Sequence, residues 1–122
     1  MPVFAPALHH VQVFYPPGQE DAARRFYGDA LGLREIPRPP TLRRDGLWFQ
    51  AGAGHIHLSA QPELALHPRR HFALRVGDLD AISATLRSRG VRFEEADPIP
   101  GWRRTYVFDP FGNKIELDEI PD

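Results

Sequence analysis

Apolar residues recur along this chain with two different periods. From Glu20 to Leu31, the positions Ala23, Phe26, Tyr27, Ala30 and Leu31 fall at i, i+3, i+4, i+7 and i+8, one face of a helix. Glu20 and Asp21 suit the positive end of its dipole, and Gly32 stops it. From Leu79 to Arg89, Leu79, Ile82 and Leu86 share a face, with Asp78 as N-cap and Gly90 as the exit. The remaining apolar stretches have strand length: 7–14, 33–36, 46–50, 56–59, 71–76, 91–95, 105–108 and 114–117. The predicted order is therefore β-α-β-β-β, twice.

Proline marks the connections, because it lacks an amide donor and resists helix interiors and central strands. The 13 prolines fall in clusters such as Pro16-Pro17-Gly18, Pro37 to Pro40, Pro98 to Gly101 and Asp109-Pro110, each between predicted elements. All intervals are short, so 122 residues form one domain spanning 1–122, without a linker. Within it, one module covers about 7–60 and a second about 69–118. His10-Val11-Gln12-Val13 opens the first and His71-Phe72-Ala73-Leu74 the second, and Leu31-Gly32-Leu33 matches Arg89-Gly90-Val91. Without a gap, Ile56-His57-Leu58 overlays Ile115-Glu116-Leu117, and Phe49 overlays Phe108. The expected fold is α+β, two βαβββ modules forming a half-open β-barrel cleft toward which equivalent positions face.

Composition narrows the partners. Fifteen Lys and Arg balance 16 Asp and Glu, which argues against nucleic acid or an anionic membrane as the partner. No cysteine is present, which excludes disulfides, thiolate metal sites and cysteine nucleophiles. No apolar run approaches membrane-spanning length and the N-terminus has no signal-peptide pattern, so a soluble cytoplasmic protein is expected.

The repeat also concentrates chemistry. The first strand of each module carries His10 or His71, and the last strand carries His57 or Glu116. Side chains alternate across a strand, so the aliphatic neighbours of these four residues turn toward the helices and the four face the cleft. Three imidazoles and a carboxylate suit one divalent ion: Zn, Ni, Co, Mn or Fe. Of the other histidines, His9 is expected on the opposite face, His55 nearer a loop with a supporting or surface role, and His67 in a loop. Arg104 alternates with Tyr106 and Phe108, and with Phe49 these residues are expected to line the cleft. A guanidinium there could clamp an anionic substrate. The Asp109-Pro110-Phe111-Gly112-Asn113 segment reads as a structural turn that delivers the strand bearing Glu116.

The chain resembles the vicinal oxygen chelate superfamily, which includes glyoxalase I, bleomycin- and fosfomycin-resistance proteins, extradiol dioxygenases and methylmalonyl-CoA epimerase. The resemblance rests on Leu8-His9-His10-Val11, on Phe26-Tyr27 with Leu31-Gly32-Leu33, on His71-Phe72-Ala73-Leu74-Arg75-Val76, and above all on the run from Asp109 to Leu117. It implies metal positions at His10, His57, His71 and Glu116, the second being variable in the superfamily. It also implies a small-molecule substrate bound through two neighbouring oxygens, at a cleft often built between two chains. A homodimer is expected, since each half-barrel leaves an apolar face to be covered.

The leading expectation is a metal-dependent lyase or isomerase of glyoxalase type that stabilises an enediolate. An Fe(II) extradiol dioxygenase is second, and a drug- or metabolite-binding protein without catalysis is third. Four protein ligands leave two open positions on an octahedron, too few for a catecholate and O₂ together. That count favours proton chemistry, with Glu116 or His57 carrying the proton.

Overall fold

The computed structural model describes residues 4–121. The first module runs β1 (His10–Tyr15), helix α1 (Glu20–Ala23, continued by a π-helical stretch Arg24–Ala30), β2 (Arg34–Ile36), β3 (Gly46–Ala51) and β4 (Gly54–Ala60). The second runs β5 (His71–Arg75), α2 (Leu79–Ser88), β6 (Phe93–Glu94), β7 (Arg103–Phe108) and β8 (Lys114–Glu119). Each module is a four-stranded mixed sheet, ordered β1-β4-β3-β2 and β5-β8-β7-β6, with only the first and last strands of a module parallel. The two βαβββ units of the sequence are thus present as two open sheets rather than a closed barrel.

Alternation along the strands separates core from cleft. Tyr15, Leu47, Phe49, Ile56, Leu58, Val107, Ile115 and Leu117 point to the helical side and are almost wholly buried. The first helix differs from expectation over most of its length. After one α turn it widens, and the Leu31 amide reaches back five residues to the Phe26 carbonyl at 2.9 Å. The wider turn seats the adjacent rings of Phe26 and Tyr27 inward together with Ala23 and Ala30. Helix α2 matches its sequence signals: the Asp78 side chain accepts from the Ala81 amide at 3.0 Å, and Gly90 leaves the helix at φ 75°. Strand β6 is shorter than the predicted 91–95, because the Val91 amide is spent on the α2 carbonyl of Leu86. The first strand starts at His10 rather than Ala7.

One buried network joins the modules. Asp109, in the turn between β7 and β8, accepts from the amides of Phe111 and Asn113 through Oδ1 and from the Asn113 side chain through Oδ2. The Tyr27 hydroxyl, from the other module, donates to the same Oδ2 at 2.6 Å. The Asn113 side chain also donates to the Phe14 carbonyl on β1 at 2.9 Å. Tyr27 is fully buried and Asp109 nearly so. Burial pushes the Asp109 carboxyl above its usual range against the pull of these hydrogen bonds.

Replacing Tyr27 by Phe removes one donor from a buried carboxylate without changing the ring. The expected loss is about 1–3 kcal/mol in urea unfolding. A midpoint and slope equal to wild type would show that the Tyr27 hydrogen bond adds nothing to what apolar packing and the Asn113–Phe14 contact supply.

Candidate functional site

In the first module β1 and β4 are parallel neighbours, with His10 opposite His55 and Gln12 opposite His57. On the other side of β4, Trp48 of β3 lies opposite His57. The His57 ring is sandwiched: the Trp48 ring stacks on it at 3.9 Å and 2°, and the His10 ring at 4.0 Å and 20°. His55 Nδ1 lies 3.2 Å from His57 Nε2, and His9 Nδ1 lies 2.9 Å from His10 Nδ1. His9 therefore joins this cluster instead of facing away. It precedes β1, so strand alternation does not govern its direction. His57 is buried, and that burial, followed by the nearby imidazoles of His10, His55 and His9, lowers its pKa from 6.5 to about 4.

The second module repeats the arrangement with different chemistry. His71 Nε2 lies 3.1 Å from Glu116 Oε1, and His71 Nδ1 lies 2.8 Å from the Arg69 carbonyl. A carbonyl can only accept, so Nδ1 carries the proton in that contact. Tyr106 lies opposite Glu116, with its ring edge-on to His71 at 5.1 Å. Arg104, only 11% exposed at its side chain, reaches Glu116 at 3.0 Å through Nη2 and at 3.2 Å through Nε. It also donates to the Tyr106 hydroxyl at 3.0 Å.

Asp118, two residues beyond Glu116 on the same face, is buried as well. Burial, then the hydrogen bond and charge of Glu116, raises Asp118 to about 6. Burial acts the same way on Glu116, but the hydrogen bonds of Arg104 and Asp118 and the charges of Arg104 and His71 outweigh it and hold Glu116 below its usual range.

Two further expectations need correction. Phe49 does not line the cleft; it is fully buried on the helical side, 5.8 Å from the Tyr27 ring. The connection from β7 to β8 is one residue longer than that from β3 to β4, so Phe49 is equivalent to the buried Val107 rather than to Phe108, and Trp48 is equivalent to Tyr106. Phe108, opposite Lys114 and two residues along β7 from Tyr106, shares the Tyr106 face, with the Arg92 guanidinium over its ring. Arg104 stands on the cleft face as expected, but its guanidinium is spent on Glu116 and Tyr106 rather than left free for a substrate.

The four expected ligands remain two pairs, His10 with His57 and His71 with Glu116. Among the described residues, no three His, Asp or Glu side chains converge as a metal-holding group. Trp48 and Asp118 were not anticipated. Asp118 was within reach of the alternation rule, since Glu116 and Asp118 share a strand face; Trp48 needed the loop-length difference.

With the fold and these pairs in place, the match to known proteins is direct. Residues 7–117 match the family described as Glyoxalase/Bleomycin resistance protein/Dioxygenase superfamily. The chain belongs to this superfamily. A solved glyoxalase family protein from Bacillus anthracis is 37% identical, with 99% of this chain and 100% of that chain covered and a TM-score of 0.90. The uncharacterized protein YwkD of Bacillus subtilis is 28% identical, covering 93% of this chain and 96% of its own length. The fosfomycin resistance protein FosX from Listeria monocytogenes shares the fold at 16% identity and a TM-score of 0.79, covering 97% of this chain and 96% of its own. A mutant of that protein has been solved complexed with Mn(II) and 1S,2S-dihydroxypropylphosphonic acid.

The donor chemistry of the pairs fits a first-row divalent ion. Two adjacent donors on one ion, with bonds of about 2.1 Å, stand roughly 3 Å apart, which is the 3.1 Å spacing of His71 Nε2 and Glu116 Oε1. The Arg69 carbonyl occupies His71 Nδ1, so Nε2, now against Glu116, is the ring atom a cation would take. His57, with its pKa lowered to about 4, stays neutral and able to donate a lone pair through mildly acidic pH.

That shift has a sign. An unfolded histidine takes up a proton near 6.5, while native His57 resists until about 4. Between those values only the unfolded chain gains the proton, so the His57 contribution to stability falls as pH drops through that window. NMR titration of the His57 ring protons in the metal-free protein is expected to give a midpoint near 4. A midpoint near 6.5 would remove the burial argument.

Proposed function

We propose that this superfamily member is a metal-dependent lyase or isomerase of glyoxalase type, acting on a small molecule that carries two neighbouring oxygens, as a homodimer. The observation that carries the reading is the pair of half-sites, His10 with His57 and His71 with Glu116, on equivalent strands of the two modules. Two copies related by a twofold axis can bring the first pair of one chain against the second pair of the other, and do so twice. His10 and His57 of one copy, with His71 and Glu116 of the second, would hold the ion. Such an ion supplies Lewis acidity, polarising a bound carbonyl or hydroxyl oxygen and acidifying the neighbouring C–H bond.

The protein side chains around it have definable tasks. Glu116 is ionised at neutral pH and able to accept a proton through either oxygen. Arg104 steadies that charge. The Tyr106 hydroxyl accepts from Arg104, so its own proton is free to bond a substrate oxygen. Trp48 covers one face of His57 and excludes water from it. Phe14 and Trp102, both partly exposed large apolar side chains, are candidates for coverage in the dimer.

One observation favours a second reading. Arg104 already neutralises Glu116 and would compete with a cation for it. A protein that binds a drug or metabolite without metal is consistent with that ion pair, and it would take up no divalent ion on dialysis.

Mixing two dead variants tests the shared site. His10→Ala spoils the first half-site and His71→Ala the second, so neither homodimer holds a complete set. Unfolding, mixing in equal amounts and refolding lets half the dimers form between the two variants, each with one intact site. Metal content is then expected to recover to about a quarter of wild type. No recovery, with dimers confirmed by light scattering, would place the site within one chain or reject it.

A further inference from the structure

On the helical side, away from the cleft, two adjoining cavities of about 380 and 290 Å³ form one groove between the modules. They share Phe26 of α1, Arg89 and Val91 from the exit of α2, and Pro110 of the β7–β8 turn. Arg25 borders one cavity and Arg92 the other. Arginines thus line both cavities, over an apolar floor of Phe26, Val91 and Pro110.

Among the described residues these guanidiniums have no acidic partner, a state they share with Arg34, Arg43 and Arg69 but which here coincides with a groove. Arg24 pairs with Glu35, Arg103 with Asp80 and Arg104 with Glu116, while Arg38 and Arg70 donate to backbone carbonyls. Arg25 and Arg89 have no side-chain hydrogen bond or ion pair among the described residues. Arg92 is oriented by the Phe108 ring, with its guanidinium carbon 3.7 Å from the ring centroid, and its N–H edges are left unpaired. Among the described residues Asp109 is the one carboxylate lining the groove, and both its oxygens are consumed by Tyr27, Phe111 and Asn113. Nothing in the lining therefore balances the positive charge.

We propose that this groove is a second binding site, for a small organic anion with one phosphate or carboxylate group and a flat apolar body. The anionic group is taken by Arg25 and Arg89, which offer planar forks suited to two-oxygen contact. The body lies on Phe26, Val91 and Pro110. Because the walls come from both modules, occupancy also staples one module to the other on the side opposite the cleft.

Phenyl phosphate and inorganic phosphate, titrated separately into ¹⁵N-labelled full-length protein, are the probes. Phenyl phosphate is expected to shift the amides of Arg25, Phe26 and Arg89 to Arg92 saturably, and to bind about tenfold more tightly than inorganic phosphate through the ring. The double variant Arg25→Gln/Arg89→Gln is expected to lose at least tenfold in affinity. Both side chains are exposed, and unchanged dispersion of the remaining amides confirms the fold in the same spectra. The proposal is overturned if the shifts cluster at His10, His57 and His71, if the double variant binds as well as wild type, or if the ring adds nothing over phosphate.

Discussion

The buried carboxylate of Asp109 is the constraint on which the rest of the architecture depends. A charge so deeply placed costs several kcal/mol unless its lone pairs are filled, and here they are filled by donors from both modules. Three come from its own turn and fix the shape of the β7–β8 connection; the fourth is Tyr27, from the helix of the other module. The turn fixes how β8 runs, and β8 carries Glu116 and Asp118. Tyr27 fixes where the first helix sits, and Asn113 ties the same turn to β1, the strand that begins with His10. Both half-sites therefore derive their relative position from one network on the opposite side of the sheets.

Most of this was legible in the chain because the signals are local and repeated. Strand alternation put His10 on the same sheet face as His57, and His71 on the same sheet face as Glu116, without any knowledge of packing. Asp78 and Gly90 bounded α2 through capping chemistry that depends only on neighbouring residues. What failed depended on a single added residue or on tertiary contacts. A one-residue difference in hairpin length inverts which side chains of β3 and β7 correspond, and that alone exchanged Phe49 for Trp48. The π-helical turn at Arg24–Ala30 leaves no periodicity signature distinct from an α-helix over seven residues, yet it decides which rings enter the core. The pairing of Arg104 with Glu116 joins residues on separate strands, and a list of charged residues carries no information about which opposite charge will be nearest.

The two faces of the cleft are chemically unequal although the strands that build them are equivalent. One is a cluster of imidazoles beside Trp48, in which His57 resists protonation. The other couples Glu116 and Asp118 beneath Arg104, where burial and mutual repulsion push one carboxyl up to about 6 while the arginine holds the other down. A cation approaching the second face meets a carboxylate already neutralised, so its affinity there is reduced by the cost of loosening Arg104. A cation approaching the first meets imidazole nitrogens and no carboxylate. Either face alone is a poor site for a divalent ion, for opposite reasons.

Joining the faces changes this balance. With bonds to neutral imidazoles from one face and a carboxylate from the other, an ion gains ligand number and charge neutralisation together, which neither pair supplies alone. If the pairs meet only between two chains, ion binding and assembly are linked: the ion stabilises the dimer by its binding free energy, and dissociation of the dimer releases the ion. The same linkage gives Arg104 a second consequence. In the proposed dimer, by lowering the affinity of the isolated pair, it would suppress capture of ions by single chains and leave strong binding to the assembled form, so that discrimination between monomer and dimer would rest on an ion pair within one sheet.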